Sequence, residues 1–176
     1  KTDEIKYYKL EIGNKSKVKL EKKNKLHIGV SWSGNPNYAY DEYRSIPFKK
    51  FKNILKFKDI NFYKLSQNTK SNEHAEYNSY PNLIDFSYKS IYELSQIMSE
   101  FDLVISSDTS IIHLAGILDV KSILLLNYNS DWRWFNDTKS TIWYPSVEII
   151  KQKKFDSWDS VFQELERKLN ILAYQK

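Results

Sequence analysis

Apolar residues fall along this chain in short compact runs that alternate with helically spaced stripes. Leu26–Trp32 (LHIGVSW) is a nearly continuous apolar run closed by the turn-forming Ser33-Gly34-Asn35-Pro36, and it predicts a buried strand. Pro47 then opens a helical pattern in which Phe48, Phe51, Ile54 and Leu55 share one face. Ile60–Leu65 is a second strand candidate, Ser66–Pro81 reads as a polar loop, and Leu83-Ile84 is a short apolar step. Ser90 and Glu93 have capping-box spacing ahead of the stripe Ile91, Leu94, Ile97 and Met98. Further strands are expected at Leu103–Ser106, Ser122–Leu126 and Val147–Ile150, with a helix from Thr109 to about Leu118. Trp158–Leu172 reads as an amphipathic closing helix, its apolar face built from Val161, Phe162, Leu165, Leu169 and Leu172.

Strands that are apolar throughout and alternate with helices argue for a parallel sheet covered on both faces. The expected fold is therefore α/β: a Rossmann-like, doubly wound domain over residues 26–176, closing helix included. Residues 1–25 read as a basic lead-in or linker. Loose alternation at Tyr8–Ile12 and Val18–Leu20 leaves room there for a short edge strand.

Composition narrows the class. With 41% hydrophobic and 15% aromatic residues in 176, the chain can bury a real core and is unlike a disordered segment. The absence of cysteine excludes a disulfide framework and thiolate metal sites, and fits a reducing compartment. No apolar run approaches the roughly 20 residues of a membrane span. The net charge is +5, much of it from Lys15, Lys17, Lys19, Lys22, Lys23 and Lys25. Those lysines read as a solvated arm or, alternatively, as a patch facing a polyanion or lipid headgroups.

Candidate chemistry gathers at the ends of strands, where doubly wound sheets bind ligands. Ser106-Ser107-Asp108-Thr109-Ser110 joins a strand to a helix. Small hydroxyl residues there admit a phosphate close to the backbone, and the helix N-terminus favours the anion. A carboxylate repels phosphate, so Asp108 is expected to cap the helix or to accept from ribose or sugar hydroxyls. His113 follows one turn later, within reach of the same ligand. The alternative is a well-capped helix with a packed histidine and no ligand.

The second strand end is Ser33-Gly34-Asn35, with Arg44 further along the loop as a bidentate partner for phosphate. As a bare pattern Ser-Gly-Asn-Pro is first of all a turn, and neither GxGxxG nor GxxxxGK[ST] is present. Asp131-Trp132-Arg133-Trp134, with Ile142-Trp143-Tyr144-Pro145 beyond it, either stacks a base or sugar ring or cements the closing helix against the sheet. His27, His74 and His113 lack metal-ligand spacing, so no metal is expected. A nucleophile elbow and an RNA-binding aromatic pattern are also missing, which makes nucleic acid an unfavoured partner.

Taken in order, GVSWSGNP, YRSIP, FYKLSQ, FDLVISSDTSIIHLAG, SILLLNYNSDWRW and IWYPS resemble the C-terminal domain of the glycosyltransferase family 9 (heptosyltransferase-like) proteins. The resemblance is greatest to bacterial members fused to tetratricopeptide repeats, and it extends more distantly to O-linked N-acetylglucosamine transferases. It runs from about Leu26 to Leu169. It implies the C-terminal, donor-binding half of a two-domain GT-B glycosyltransferase, with a nucleoside-diphosphate sugar as ligand and a glycan, lipid or protein as acceptor. Asp108, Thr109, Ser110 and His113 would then line the diphosphate and ribose, and Ser33, Gly34 and Asn35 the opposing phosphate-side loop. Arg44 and Gln67 follow as secondary contacts, and Trp132 and Trp134 as candidate stacking rings. No cofactor or metal is implied, and the setting would be cytoplasmic or peripheral at the inner face of the membrane. Two departures stand out. Ser110 replaces a glycine frequent in the family, and residues 1–25 are too few for the N-terminal acceptor or repeat domain that supplies a general base. The chain by itself is therefore expected to bind a donor without completing transfer, or to be a non-catalytic nucleotide- or partner-binding module.

Overall fold

The computed structural model describes Leu20 and residues 25–67, 74–135 and 139–174. Almost all of the basic lead-in, including the alternation at Tyr8–Ile12, lies outside the described residues. The strands are β1 (Leu26–Ser31), β2 (Ile60–Lys64), β3 (Leu83–Asp85), β4 (Leu103–Ser107), β5 (Ser122–Leu126) and β6 (Val147–Lys151). They pair in parallel in the order β3-β2-β1-β4-β5-β6. This is the doubly wound order: the chain builds outward on one side of β1, then crosses back and builds on the other. The expected Rossmann-like sheet is borne out, and its switch point falls between β1 and β4.

The helices are α1 (Asp41–Arg44), α2 (Phe48–Phe51), α3 (His74–Tyr77), α4 (Ile91–Met98), α5 (Ser110–Ile117) and α6 (Asp159–Tyr174). Alternate strand residues supply two opposite cores, which is why the strands read as unbroken apolar runs. One face joins Ile28, Val30, Phe62, Ile105, Ile123 and Leu125 to α2 and to Val161, Phe162, Leu165 and Leu169 of α6. The other packs Tyr63, Leu65 and Val104 under Leu94, Ile97 and Met98 of α4 and Ile111 and Ala115 of α5. A third cluster on that side joins Leu124, Leu126, Val147 and Ile149 to Ile112 and Trp134.

Local signals explain most element ends. The Ser90 hydroxyl accepts from the Glu93 amide at 3.1 Å, while Glu93 Oε2 accepts from the Lys89 amide at 2.8 Å. The capping box therefore forms with its return bond displaced by a residue. Ile91 leaves the expected stripe: it is 51% exposed, because the first turn of α4 overhangs the cleft beyond the strand ends rather than the sheet. The helical pattern after Pro47 divides into α2 and a 3-10 turn over Lys52–Lys56. Asn82 Nδ2 closes that turn by donating to the carbonyls of Leu55 and Phe57, both at 3.0 Å. The expected loop Ser66–Pro81 contains α3, a helix too short to show a period; its Tyr77 is buried against Trp32 and Phe48. Among the described residues no helix is long and apolar enough to cross a membrane.

Candidate functional site at the strand ends

The carboxyl ends of β1 and β4 are sheet neighbours, with Ser31 in register with Ser106. Their loops diverge and open a cleft of about 530 Å³. Ser33, Gly34, Asn35, Arg44, Gln67, Thr109 and Ser110 all line it. Residues picked from separate stretches of sequence thus meet at the switch point, where this sheet order leaves a crevice.

A half-buried polar chain shapes the loop after β1. The Gly34 amide donates to Ser45 Oγ at 3.0 Å, and the Ser45 hydroxyl donates to Asp41 Oδ2 at 2.7 Å. Arg44 Nε donates to Asp41 Oδ1 at 2.9 Å, and Arg44 Nη1 to the Asp108 carbonyl at 3.1 Å. The guanidinium also lies 4.6 Å over the Tyr38 ring. Arg44 therefore bridges the two loops. Gly34 permits this: a Cβ there would stand 2.4 Å from Asp41 Oδ1 and 2.6 Å from Arg44 Nη2. On the other flank Gln67 Nε2 donates to the Tyr88 carbonyl at 2.6 Å, and Tyr88, Lys89 and Ser90 complete the cleft wall.

The loop after β4 corrects the capping assignment. Thr109, not Asp108, is the N-cap of α5: its backbone is extended, and its hydroxyl accepts from the Ile111 amide at 3.4 Å and meets Ser106 Oγ at 3.0 Å. Ser110 follows at the first helical position and is exposed in the cleft, where helix amides lack intrahelical acceptors. The Asp108 carboxylate instead faces His113, with Oδ1 3.7 Å from Nε2. His113 Nδ1 is 3.1 Å from the Tyr144 hydroxyl, and its ring stacks on Trp134 at 5.1 Å. Burial pushes the Tyr144 phenol up, against a smaller lowering by Arg133, so it stays protonated beside the imidazole. His113 thus stands behind the loop, not among the residues lining the cleft.

The two expected stacking rings separate. Trp134 is fully buried, whereas Trp132 is 70% exposed. Trp134 packs with Ile112, Leu124 and Leu126 on the α5 side of the sheet, opposite to the face that holds α6. It cements α5 and the Tyr144 segment, not the closing helix as the alternative reading had it. Gly116 belongs to the same contact, since a Cβ there would lie 2.4 Å from Tyr144 Cγ.

Asp41, Ser45, Tyr88 and Lys89 were not singled out from sequence. The signal for the first two was local: Asp41, Arg44 and Ser45 stand at helical spacing just before Pro47, the arrangement of one carboxylate serving two donors.

The described chain is thus a doubly wound α/β domain with a polar cleft at its switch point. Solved structures share this fold. No known protein-family model matches the sequence, and neither does any curated protein. Its fold is similar to that of E. coli heptosyltransferase WaaC with ADP, with a TM-score of 0.59 and 12% identity over 84% of this chain and 46% of that one. WaaC with ADP-2-deoxy-2-fluoro heptose gives 0.59 and 10% over 82% and 44%. E. coli ADP-heptose lps heptosyltransferase II gives 0.57 and 11% over 86% and 47%. The chain spans just under half the length of each of these proteins. The resemblance to heptosyltransferase-like proteins seen in the motifs thus extends to the three-dimensional fold, a Rossmann-like α/β domain similar to part of those E. coli heptosyltransferases.

Proposed function

We propose that this domain binds a nucleoside-diphosphate sugar and forms the C-terminal, donor-side half of a GT-B glycosyltransferase. The observation that carries the reading is the cleft of about 530 Å³ between the β1 and β4 loops, walled on one side by the N-terminus of α5. That volume lies within the range of about 300–1,000 Å³ typical of small-molecule sites. Helix-terminal amides, the hydroxyls of Ser33, Thr109 and Ser110, and the cations Arg44 and Lys89 suit a diphosphate. Two of the similar structures contain ADP or an ADP-linked sugar analogue, which agrees in ligand class.

In this reading transfer is a direct displacement at the anomeric carbon. The chain contributes by stabilising the departing nucleoside diphosphate, whose negative charge grows as the glycosidic bond breaks. Asp108, facing His113 and set back from the phosphate-facing hydroxyls, accepts from ribose or sugar hydroxyls. A general base and the acceptor, whether glycan, lipid or protein, come from outside the described residues. Calorimetric titration with ADP, UDP and GDP tests the reading. At least one binds, and Thr109→Ala or Asp108→Ala weakens it; no heat from any of the three at millimolar concentration would overturn it.

A further inference from the structure

At the opposite end of the sheet from the cleft, a groove of about 590 Å³ opens where the last turns of α6 pass the amino ends of β4, β5 and β6. Leu103, Ser122 and Val147, the first residues of those strands, lie along it with Ile123. Ile171 and Leu172 of α6 form the facing wall, and Ile171 is 45% exposed. The volume falls within the range of about 300–1,000 Å³ for small-molecule sites. No residue lining the nucleotide cleft takes part.

The rim of this groove is cationic. Lys168 stands 2.7 Å from Glu148, and Arg167 stands 2.7 Å from Glu164, so these four charges cancel. That leaves Lys121 and Lys139 against the single carboxylate of Asp119. Among the described residues, neither lysine ammonium has an ion-pair or hydrogen-bond partner. Ser146, on the same groove, buries a hydroxyl that has no partner among the described residues, an unfavourable state for a donor. An inorganic anion gains nothing from the apolar walls, and a plain hydrocarbon leaves the lysines unused. An amphiphile uses both: its chain leaves water while its charged head meets the ammonium groups.

We propose that this groove binds a fatty-acid carboxylate, its chain along Leu103, Ile123, Ile171 and Leu172 and its head served by Lys121, Lys139 and Ser146. The inference is independent of the nucleotide reading, because the two sites share no residue and lie at opposite ends of the strands.

Calorimetry on the full chain compares acetate, octanoate, decanoate and dodecanoate with neutral octanol and decanol, and amide-resolved NMR locates what binds. Affinity rises about fourfold for each methylene that the groove takes in. Decanoate binds about tenfold more tightly than decanol, acetate does not bind, and the shifts centre on Ser122, Ser146, Val147 and Ile171. Ile171→Glu sets a carboxylate against the chain and weakens dodecanoate at least about tenfold. Lys121→Ala combined with Lys139→Ala abolishes the preference for decanoate over decanol. All three positions are exposed, and thermal unfolding checks that the variants fold. Equal affinity for decanoate and decanol in the wild-type chain overturns the carboxylate assignment. No saturable binding, or binding untouched by Ile171→Glu, overturns the site. Sedimentation velocity covers the rival occupant: a wild-type dimer that Ile171→Glu dissociates assigns the groove to a second copy and overturns the proposal. None of these outcomes bears on the binding of ADP, UDP or GDP in the cleft.

Discussion

Arg44 Nη1 donates to the main-chain carbonyl of Asp108 across 3.1 Å, joining the loops after β1 and β4 at the point where the sheet reverses direction. The same guanidinium is paired with Asp41, a carboxylate buried to 9% exposure. Removing it leaves that carboxylate with Ser45 as a remaining partner and an unbridged cleft. Arg44→Ala is therefore expected to cost about 1–3 kcal/mol, and to weaken nucleoside-diphosphate binding as well. Arg44→Lys does not restore either, because a lysine keeps the charge but cannot reach Asp41 and the Asp108 carbonyl together in a fork. Urea denaturation and calorimetry on both variants read the two effects; full rescue by lysine would show that charge alone matters.

Gly116→Ala sets two magnitudes against each other. Replacing a helical glycine by alanine gains about 1 kcal/mol in propensity. The added Cβ, however, would lie 2.4 Å from Tyr144 Cγ, and a packed ring cannot yield without moving His113 and Trp134. Overpacking of this kind costs about 1–3 kcal/mol, so the variant is expected to be less stable than wild type by urea midpoint. If Tyr144→Ala is introduced as well, the penalty of Gly116→Ala should shrink but not vanish, because the ring is gone while the Cβ of residue 144 would still lie 2.8 Å from the added methyl.

Most of the fold was legible in the sequence, for a physical reason. Ser122–Leu126 is buried at every position, so its apolar run marks the strand without ambiguity. The stripe in α6 works in the same way at helical spacing, with Val161, Phe162, Leu165 and Leu169 all in the core. What escaped was decided by tertiary contact. Four residues of α3 hold together because Tyr77 docks on Trp32. Trp132 and Trp134 are indistinguishable in sequence, yet the 3-10 turn between them sends one into the core and leaves the other in solvent. At the site, the hydroxyl and glycine positions could be read from their motifs. The Asp41–Ser45 support could not, since its partners are fixed only when β1 and β4 lie side by side.

Alkaline pH should loosen the fold through buried phenols. Burial raises Tyr63, Tyr88 and Tyr144 above the ordinary phenol value of 10.0. The folded state thus keeps protons that the unfolded chain has already released. Their contribution is fully present below pH ~10 and declines as pH rises past the unfolded value towards the raised folded ones. The urea midpoint is expected to hold steady up to about pH 9 and to fall as the pH rises past about 10. Tyr88, whose hydroxyl donates to the Leu65 carbonyl at 3.1 Å beside the cleft, gives the cleanest check. Tyr88→Phe should make that decline shallower, and an unchanged slope would remove Tyr88 from the account.

Ser110 offers a substitution whose effects on stability and on binding carry opposite signs. It occupies the first position of α5, is exposed, and lines the cleft between the two loops. A carboxylate in the first turn of a helix is favoured by the macrodipole by about 0.3–1 kcal/mol. Ser110→Glu is therefore expected to leave the fold as stable as wild type or slightly more so. If the α5 terminus holds a diphosphate, the same carboxylate occupies the anion position and repels the ligand, so nucleotide binding should be lost. Ser110→Gly provides the neutral control: it removes the hydroxyl without adding charge, so binding should weaken slightly but persist. Thermal unfolding and calorimetry measured together on the two variants decide the matter. Retained nucleotide affinity in Ser110→Glu, with an intact fold, would place the phosphate elsewhere in the cleft.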